Sequence, residues 1–383
     1  MKTFFALKDL KSIKPAGIQQ KSFPKHAPPR TVPFRKLWER LEWIEPEIGP
    51  PVRVALDVGS TSVRSLMLEH VHGKIRLTDI RFVPCSVEPI TNLAQELKRI
   101  FTEKFQDNVR VHTAVSGAST LVRYISMPHM SEKEFHQSMN YEAEKYIPYQ
   151  ISEVVVDSYL IGDGQDERGK KITKGILAVC KKDAIRAVIQ ACREVEAPLA
   201  VIDAPPLALI NAFQFNYPES MSEVVGLLHV GHSACNLSIL LKGEPVFTRE
   251  ISFGGADITQ ALMKSLPSSA EQAEKRKLTF DWGSDKDIRP VIEQTLGFLG
   301  QEIKLSFNYF ENHVAGAEAP SKVYVSGATS QLDHFQEILS EQLGTAVSEW
   351  DPLAKIEIDP KVDINRITRL KSGLAVCIGL ALR

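Results

Sequence analysis

The stretch Val54-Ala55-Leu56-Asp57-Val58-Gly59-Ser60-Thr61-Ser62-Val63-Arg64-Ser65-Leu66-Met67-Leu68 decides how the chain is read. An apolar run ends in an aspartate, a Gly-Ser-Thr-Ser turn follows, and alternating apolar residues resume. The pattern predicts a strand, a tight turn and a returning strand. Gly59 lets the backbone turn sharply and approach a ligand closely. The N–H groups and hydroxyls of Ser60, Thr61 and Ser62 form a concave set of donors suited to a phosphate. Asp57 sits where a carboxylate holds a magnesium ion through water, an ion that gives up its hydration reluctantly. The same residues also read as an ordinary hairpin with a polar turn.

The pattern returns at 226–240. His229 faces Asp57, Gly231 faces Gly59 and Ser233 faces Thr61, with apolar alternation after each. A Gly turn (Gly73, Gly243) and a third strand follow in both. Two such units opening two successive α/β layers point to a pseudo-duplicated protein with a ligand between the halves. Gly254-Gly255 before a helix adds donors at its N-terminus. Ser326-Gly327-Ala328 gives a third turn where a flat ring can lie against backbone.

Around these units the chain divides into four parts. Residues 1–51 are a basic extension whose first 36 residues carry nine Lys and Arg against the single acid Asp9. Phe34, Leu37, Trp38, Leu41 and Ile44 at helical spacing predict a short amphipathic helix within it. Residues 52–120 and 198–218, with a C-terminal helix over 371–383, form the first α/β domain. Residues 121–197 form an inserted strand–helix–strand–strand–helix subdomain, whose first helix opens on a Ser131–Glu134 capping box. Residues 219–370 form the second domain, with a long amphipathic helix over 288–313. The C-terminal helix is apolar all round, which predicts burial.

At 383 residues the chain is too long for one typical core. Its formal charge of −1 argues against a nucleic-acid binder acting through overall charge. The five scattered cysteines include no Cys-x-x-Cys pair and read as reduced core thiols of a cytosolic protein. The histidines make no metal-ligand pattern. Lys8, Asp9 and Lys11 cut short the signal-like opening, and no run approaches a membrane span of about 20 apolar residues.

The constellation resembles the actin-like ATPase superfamily, and within it the PilM family of type IV pilus assembly. The residues that carry the resemblance are Leu56 to Arg64, Ala114 to Gly117, Val122 to Pro128, Phe247 to Gly255 and Glu302 to Phe310. The most telling run is Tyr141-Glu142-Ala143-Glu144-Lys145-Tyr146-Ile147-Pro148-Tyr149. The resemblance implies duplicated actin-like (ribonuclease H-like) domains with an insertion of the type found in the cell-division protein FtsA. It implies an ATP site with Mg2+ in the cleft. Gly59, Ser60, Thr61 and Ser62 would hold phosphates from one side, with Gly231 and Ser233 on the other. Asp57 would be the magnesium-side acid, and Gly254 and Gly255 would approach the ribose. Glu302, Lys304, Gly327 and Ala328 would frame the adenosine. It further implies a place at the cytoplasmic face of the inner membrane. There the groove beside the insertion takes the cytoplasmic tail of a PilN-like membrane protein, with Glu142, Lys145 and Tyr146 on one wall.

One position departs from the family. Its second turn normally carries an aspartate, and this chain has His229. A histidine cannot order a magnesium ion as an acid does, so the expectation is nucleotide binding with weak or absent hydrolysis. Two alternatives remain open: an FtsA-like division protein, and a small-molecule kinase of the same superfamily with Asp203 as its base.

Overall fold

The computed structural model describes residues 52–85, 92–101, 108–166, 168–314 and 318–383. The expected basic extension and its amphipathic helix lie outside the described residues.

The first unit is an antiparallel meander, β1 (Val52–Val58), β2 (Ser62–Val71) and β3 (Lys74–Pro84), followed by helix α1 (Leu93–Ile100) and strand β4 (Val109–Ala114). Val54 through Val58 are all buried, because β1 is covered on both sides by neighbouring strands and on its faces by helices. Leu93, Leu97 and Ile100 give α1 one buried face. The chain then enters the insertion: β5 (Thr120–Pro128), α2 (Glu132–Glu142), β6 (Val154–Gln165), β7 (Lys171–Lys181) and α3 (Lys182–Glu194). The three strands form their own sheet in the order β5-β7-β6. The Ser131–Glu134 capping box is present at the start of α2. Phe135, Met139 and Ala143 press against Ile125, Met127, Leu177 and Val179 on one face of this sheet. Ile176, Ala178 and Cys180 on the other face join the main core.

The chain returns through β8 (Leu199–Asp203) and α4 (Pro205–Asn216), a helix buried on nearly all sides. The second unit repeats the plan with β9 (Val224–Val230), β10 (Cys235–Leu241) and β11 (Glu244–Ile251). Helices α5 (Gly255–Ser265), α6 (Ala270–Leu278) and α7 (Arg289–His313) follow, then β12 (Lys322–Ser326), α8 (Phe335–Leu343) and β13 (Ala346–Glu349). The chain ends with β14 (Glu357–Ile358), α9 (Ile364–Leu370) and α10 (Ala375–Ala381), the last wholly buried as its composition predicts.

The duplication is visible in detail. One sheet runs β14-β3-β2-β1-β4-β8 and the other β11-β10-β9-β12-β13, so the same five-strand order occurs twice. In both units the second and third strands join through two residues with positive φ, His72-Gly73 and Lys242-Gly243. That is the turn that follows the natural strand twist. Both meanders also slip register at the equivalent place, between Met67 and Leu68 and between Ile239 and Leu240. The halves meet over α4 and α10, where Phe213 and Tyr217 pack with Tyr324 and Trp350. The return to the first layer comes before residue 371: β14 pairs with β3, and Trp350, Leu353 and Ile356 are buried in the first core.

Candidate functional site

The duplicated turns face each other. Gly59 N–H donates to Ser62 O and Gly231 N–H donates to Ala234 O, both at 3.0 Å, so the turns close identically. Ser233 Oγ donates to Ser60 Oγ at 3.1 Å, which brings the two halves into contact. The N–H groups of Ser60, Thr61, His232 and Ser233 make no backbone hydrogen bond among the described residues. These four donors and the two serine hydroxyls therefore line one place, and their chemistry fits phosphate oxygens.

Two further segments close on the second turn. Gly255 N–H donates to Gly231 O (3.1 Å) and Ala256 N–H to His232 O (2.8 Å), so the first donors of α5 are engaged in holding the turn. A β-carbon on Gly254 would lie 2.3 Å from His232 O, which requires glycine for backbone packing with or without a ligand. Gly327, at φ +99°, would place a β-carbon 2.3 Å from Val230 O. The exposed Ala328 follows it, and Thr329 Oγ1 donates to Gly231 O at 2.8 Å. Residues 59–62, 231–233, 254–255 and 327–328 are thus one assembly.

Asp57 is buried and paired with Arg64, Oδ2 to Nη1 at 3.1 Å. The two are cross-strand partners on β1 and β2. Opposite, His229 Nδ1 shares a hydrogen bond with Ser326 Oγ at 3.0 Å. Burial pushes the His229 pKa down to about 4 against the upward pull of Asp57, so the ring is neutral near pH 7. For a magnesium ion this arrangement offers one carboxylate, already compensated by a guanidinium, and an imidazole. The residues present do not fit that ion. Among the described residues no group of three or more His, Cys, Asp or Glu side chains is placed to hold a metal.

Glu302 and Lys304 are placed otherwise. Glu302 Oε2 receives Arg249 Nη2 at 2.6 Å, and Arg249 Nη1 donates to Ser306 Oγ at 2.9 Å. Arg249 belongs to β11, three strand spacings (about 14 Å) across the sheet from β12 and Gly327. Lys304 is exposed. The charged pair beside the Gly254-Gly255 step is instead Glu274 and Lys277 on α6. Lys277 is 7% exposed, and its Nζ donates to Gly255 O (3.0 Å), Thr259 Oγ1 (3.0 Å) and Glu274 Oε2 (2.7 Å). Its signal in the sequence was a Glu-x-x-Lys spacing within a charged stretch that otherwise reads as solvated surface.

On the insertion, Glu142 and Lys145 pair with each other at the exposed end of α2, and Tyr146 packs at the rim of the small core. Tyr141 beside them is 83% exposed. A groove of about 500 Å³ opens on a different side of the helix, lined by Lys133, His136, Gln137, Ile151 and Val156. At 100° per residue, Gln137 lies about 140° around the helix from Glu142.

The sequence model of the type IV pilus assembly protein PilM matches residues 55–383. A solved PilM-PilN type IV pilus biogenesis complex is 24% identical, covering 88% of this chain and 99% of that chain, with a TM-score of 0.75. The ethanolamine utilization protein EutJ from Carboxydothermus hydrogenoformans is 15% identical over 89% of this chain and 93% of its own, with a TM-score of 0.49. MreB5 of Spiroplasma citri bound to ADP is 14% identical, over 86% and 94%, at 0.48. Among the described residues no helix is long and apolar enough to cross a membrane. The repeated sheets, the insertion between β4 and β8 and a family match that spans both halves agree: the chain belongs to the PilM family of type IV pilus assembly proteins, with an actin-like fold.

Proposed function

We propose that the protein is an assembly adaptor. It holds ATP between the two Gly turns and offers its inserted subdomain to the cytoplasmic tail of a PilN-like inner-membrane protein. The observation that carries the nucleotide part is the facing pair of turns, with the N–H groups of Ser60, Thr61, His232 and Ser233, which make no backbone hydrogen bond among the described residues, and the hydroxyls of Ser60 and Ser233. Those groups would bind and orient the phosphates. Gly254, Gly255, Lys277 and Glu274 would border the sugar side, with Gly327 and Ala328 beside the ring. Glu302 and Lys304 would stay peripheral. Bound ATP would supply a polyanion that both halves grip, favouring one interdomain closure by its differential affinity.

Hydrolysis would be weak or absent, since His229, its pKa pushed down to about 4, is a poor base for the attacking water and lacks the carboxylate charge that orders a magnesium ion. The kinase alternative loses support because Asp203, 1% exposed, is bound to Arg383 and to the Ala204 N–H. α10 is completely buried, so this helix itself offers no face to a membrane.

The partner part rests on family membership, on the partner present in the solved PilM-PilN complex, and on the exposed Tyr141 beside the Glu142–Lys145 pair. An exposed aromatic next to a charged pair is the composition of an interface anchor. The test is fluorescence anisotropy of a PilN-like tail peptide titrated with the full chain. Tyr141→Ala and Glu142→Lys are expected to weaken binding by about tenfold or more, equivalent to about 1.4 kcal/mol. If Lys133→Glu in the groove weakens it instead, the tail lies on the other side of α2. No binding by the wild type removes the adaptor reading.

A further inference from the structure

We infer that the nucleotide is held without a magnesium ion, the guanidinium of Arg64 serving as the fixed positive charge at the phosphates. The inference rests on the nucleotide reading above and deepens it. Four equivalent positions flank the two turns, Asp57 and Arg64 as register partners in one hairpin, His229 and Asn236 in the other. Their side chains are a carboxylate, a guanidinium, an imidazole and an amide. The single negative charge among them is balanced by its own strand partner at 3.1 Å. A dication brought to Asp57, even through a water molecule, would meet the guanidinium at close range. The attraction to one would then be opposed by repulsion from the other. The imidazole carries no negative charge in either protonation state, so it adds nothing to offset this.

Arg64 is also held in place. It is the register partner of Phe82 on β3, and its guanidinium carbon lies 6.0 Å from that ring's centroid. A β-carbon on Gly373 would lie 3.5 Å from Arg64 Nε, so the chain before α10 closes over the side chain. The guanidinium thus lies between the Phe82 ring and the chain before α10, beside Asp57. The guanidinium meanwhile lies at the first turn, since a β-carbon on Gly59 would be 3.6 Å from Nη1. A guanidinium has five N–H donors, and the contact with Asp57 uses one of them, which leaves donors for phosphate oxygens.

The test is isothermal titration calorimetry of ATP into the full chain, in EDTA and again in excess Mg2+. Affinities agreeing within about threefold support the inference, and a larger gain from Mg2+ overturns it. No heat and no thermal shift under either condition overturns the nucleotide reading itself, which separates the two failures. Arg64→Gln is expected to lose at least about tenfold in affinity in EDTA, and wild-type affinity in that variant overturns the inference. Should Arg64→Gln fail to fold, His229→Asp supplies the second reading. It adds the missing carboxylate opposite Asp57 and is expected to make ATP binding depend on Mg2+. Continued indifference to Mg2+ in folded His229→Asp, together with a large Mg2+ gain in the wild type, would reverse the assignment.

Discussion

Two helical glycines with opposite environments give a sharp test of how the halves are joined. Gly379 lies in α10, and a β-carbon there would sit 1.7 Å from the carbonyl oxygen of Ala208 on α4. Comfortable non-bonded contact needs about 3.5 Å, so the two helices would have to part by about 1.8 Å. The obstacle is backbone, and no change of a neighbouring side chain relieves it. Both helices are buried between the two sheets, so their separation disturbs packing on every side. Overpacking of this kind costs about 1–3 kcal/mol and sometimes more, against a gain of up to about 1 kcal/mol in helix propensity. We expect Gly379→Ala to destabilise by about 2–3 kcal/mol. Gly297 in α7 is the control: its β-carbon would find its nearest neighbour, the Gln342 amide nitrogen, at an ordinary 3.5 Å. Gly297→Ala should therefore stabilise by about 0.5–1 kcal/mol. The assay is urea denaturation followed by circular dichroism, with melting as a check. At roughly 2–4 °C per kcal/mol, Gly379→Ala should lower Tm by about 5–10 °C and Gly297→Ala should raise it slightly. A neutral or stabilising Gly379→Ala would refute the close crossing of α4 and α10.

The pair between Asp203 and Arg383 is almost wholly buried. Arg383→Met should cost about 3–5 kcal/mol by stranding the carboxylate. Burial raises the Asp203 pKa and Arg383 opposes that rise, so the variant's acid binds protons more readily folded than unfolded. Its deficit should accordingly shrink between pH 7 and pH 5, and a pH-independent deficit would contradict the pairing. His112 is the reverse case, a base that burial pushes down to about 4 while its Nδ1–H donates to Leu380 O at 2.9 Å. Its contribution is complete above pH 6.5 and lost as the pH falls toward 4, about 2 kcal/mol of it by pH 5. His112→Gln should flatten that slope in denaturation curves measured at the two pH values. At the turns, Ser60→Ala combined with Ser233→Ala should leave stability within about 0.5 kcal/mol, Ser233 being exposed and Ser60 half-buried, while weakening the thermal shift given by ATP. An unchanged shift would remove the serine hydroxyls from the site.

Much of this architecture was legible in the residues because it is written in local chemistry. The apolar run into Asp57, the Gly-Ser-Thr-Ser turn, the His72-Gly73 and Lys242-Gly243 turns and the Ser131–Glu134 box each act within a few residues, where backbone sterics and capping decide the outcome. The repetition of the first unit at 226–240 extended that local reading to the whole chain, and the apolar C-terminal helix was identified as buried by composition alone. The side-chain partnerships were another matter. That Arg64 neutralises Asp57 follows from strand register, which places residues seven apart side by side. That Glu302 serves Arg249, and that Lys277 rather than Lys304 stands at Gly255, depends on which helix lies over which strand. The same is true of β14, two residues whose only strand signal is the exposed row of β3 they complete. The sequence by itself determined the duplicated strand–turn–strand units, the insertion and the presence of His229 where the first unit has Asp57, because these depend on residue type and short spacing. The charge state of the cleft was decided only by the tertiary structure, because an ion pair exists between side chains whose distance no spacing along the chain prescribes.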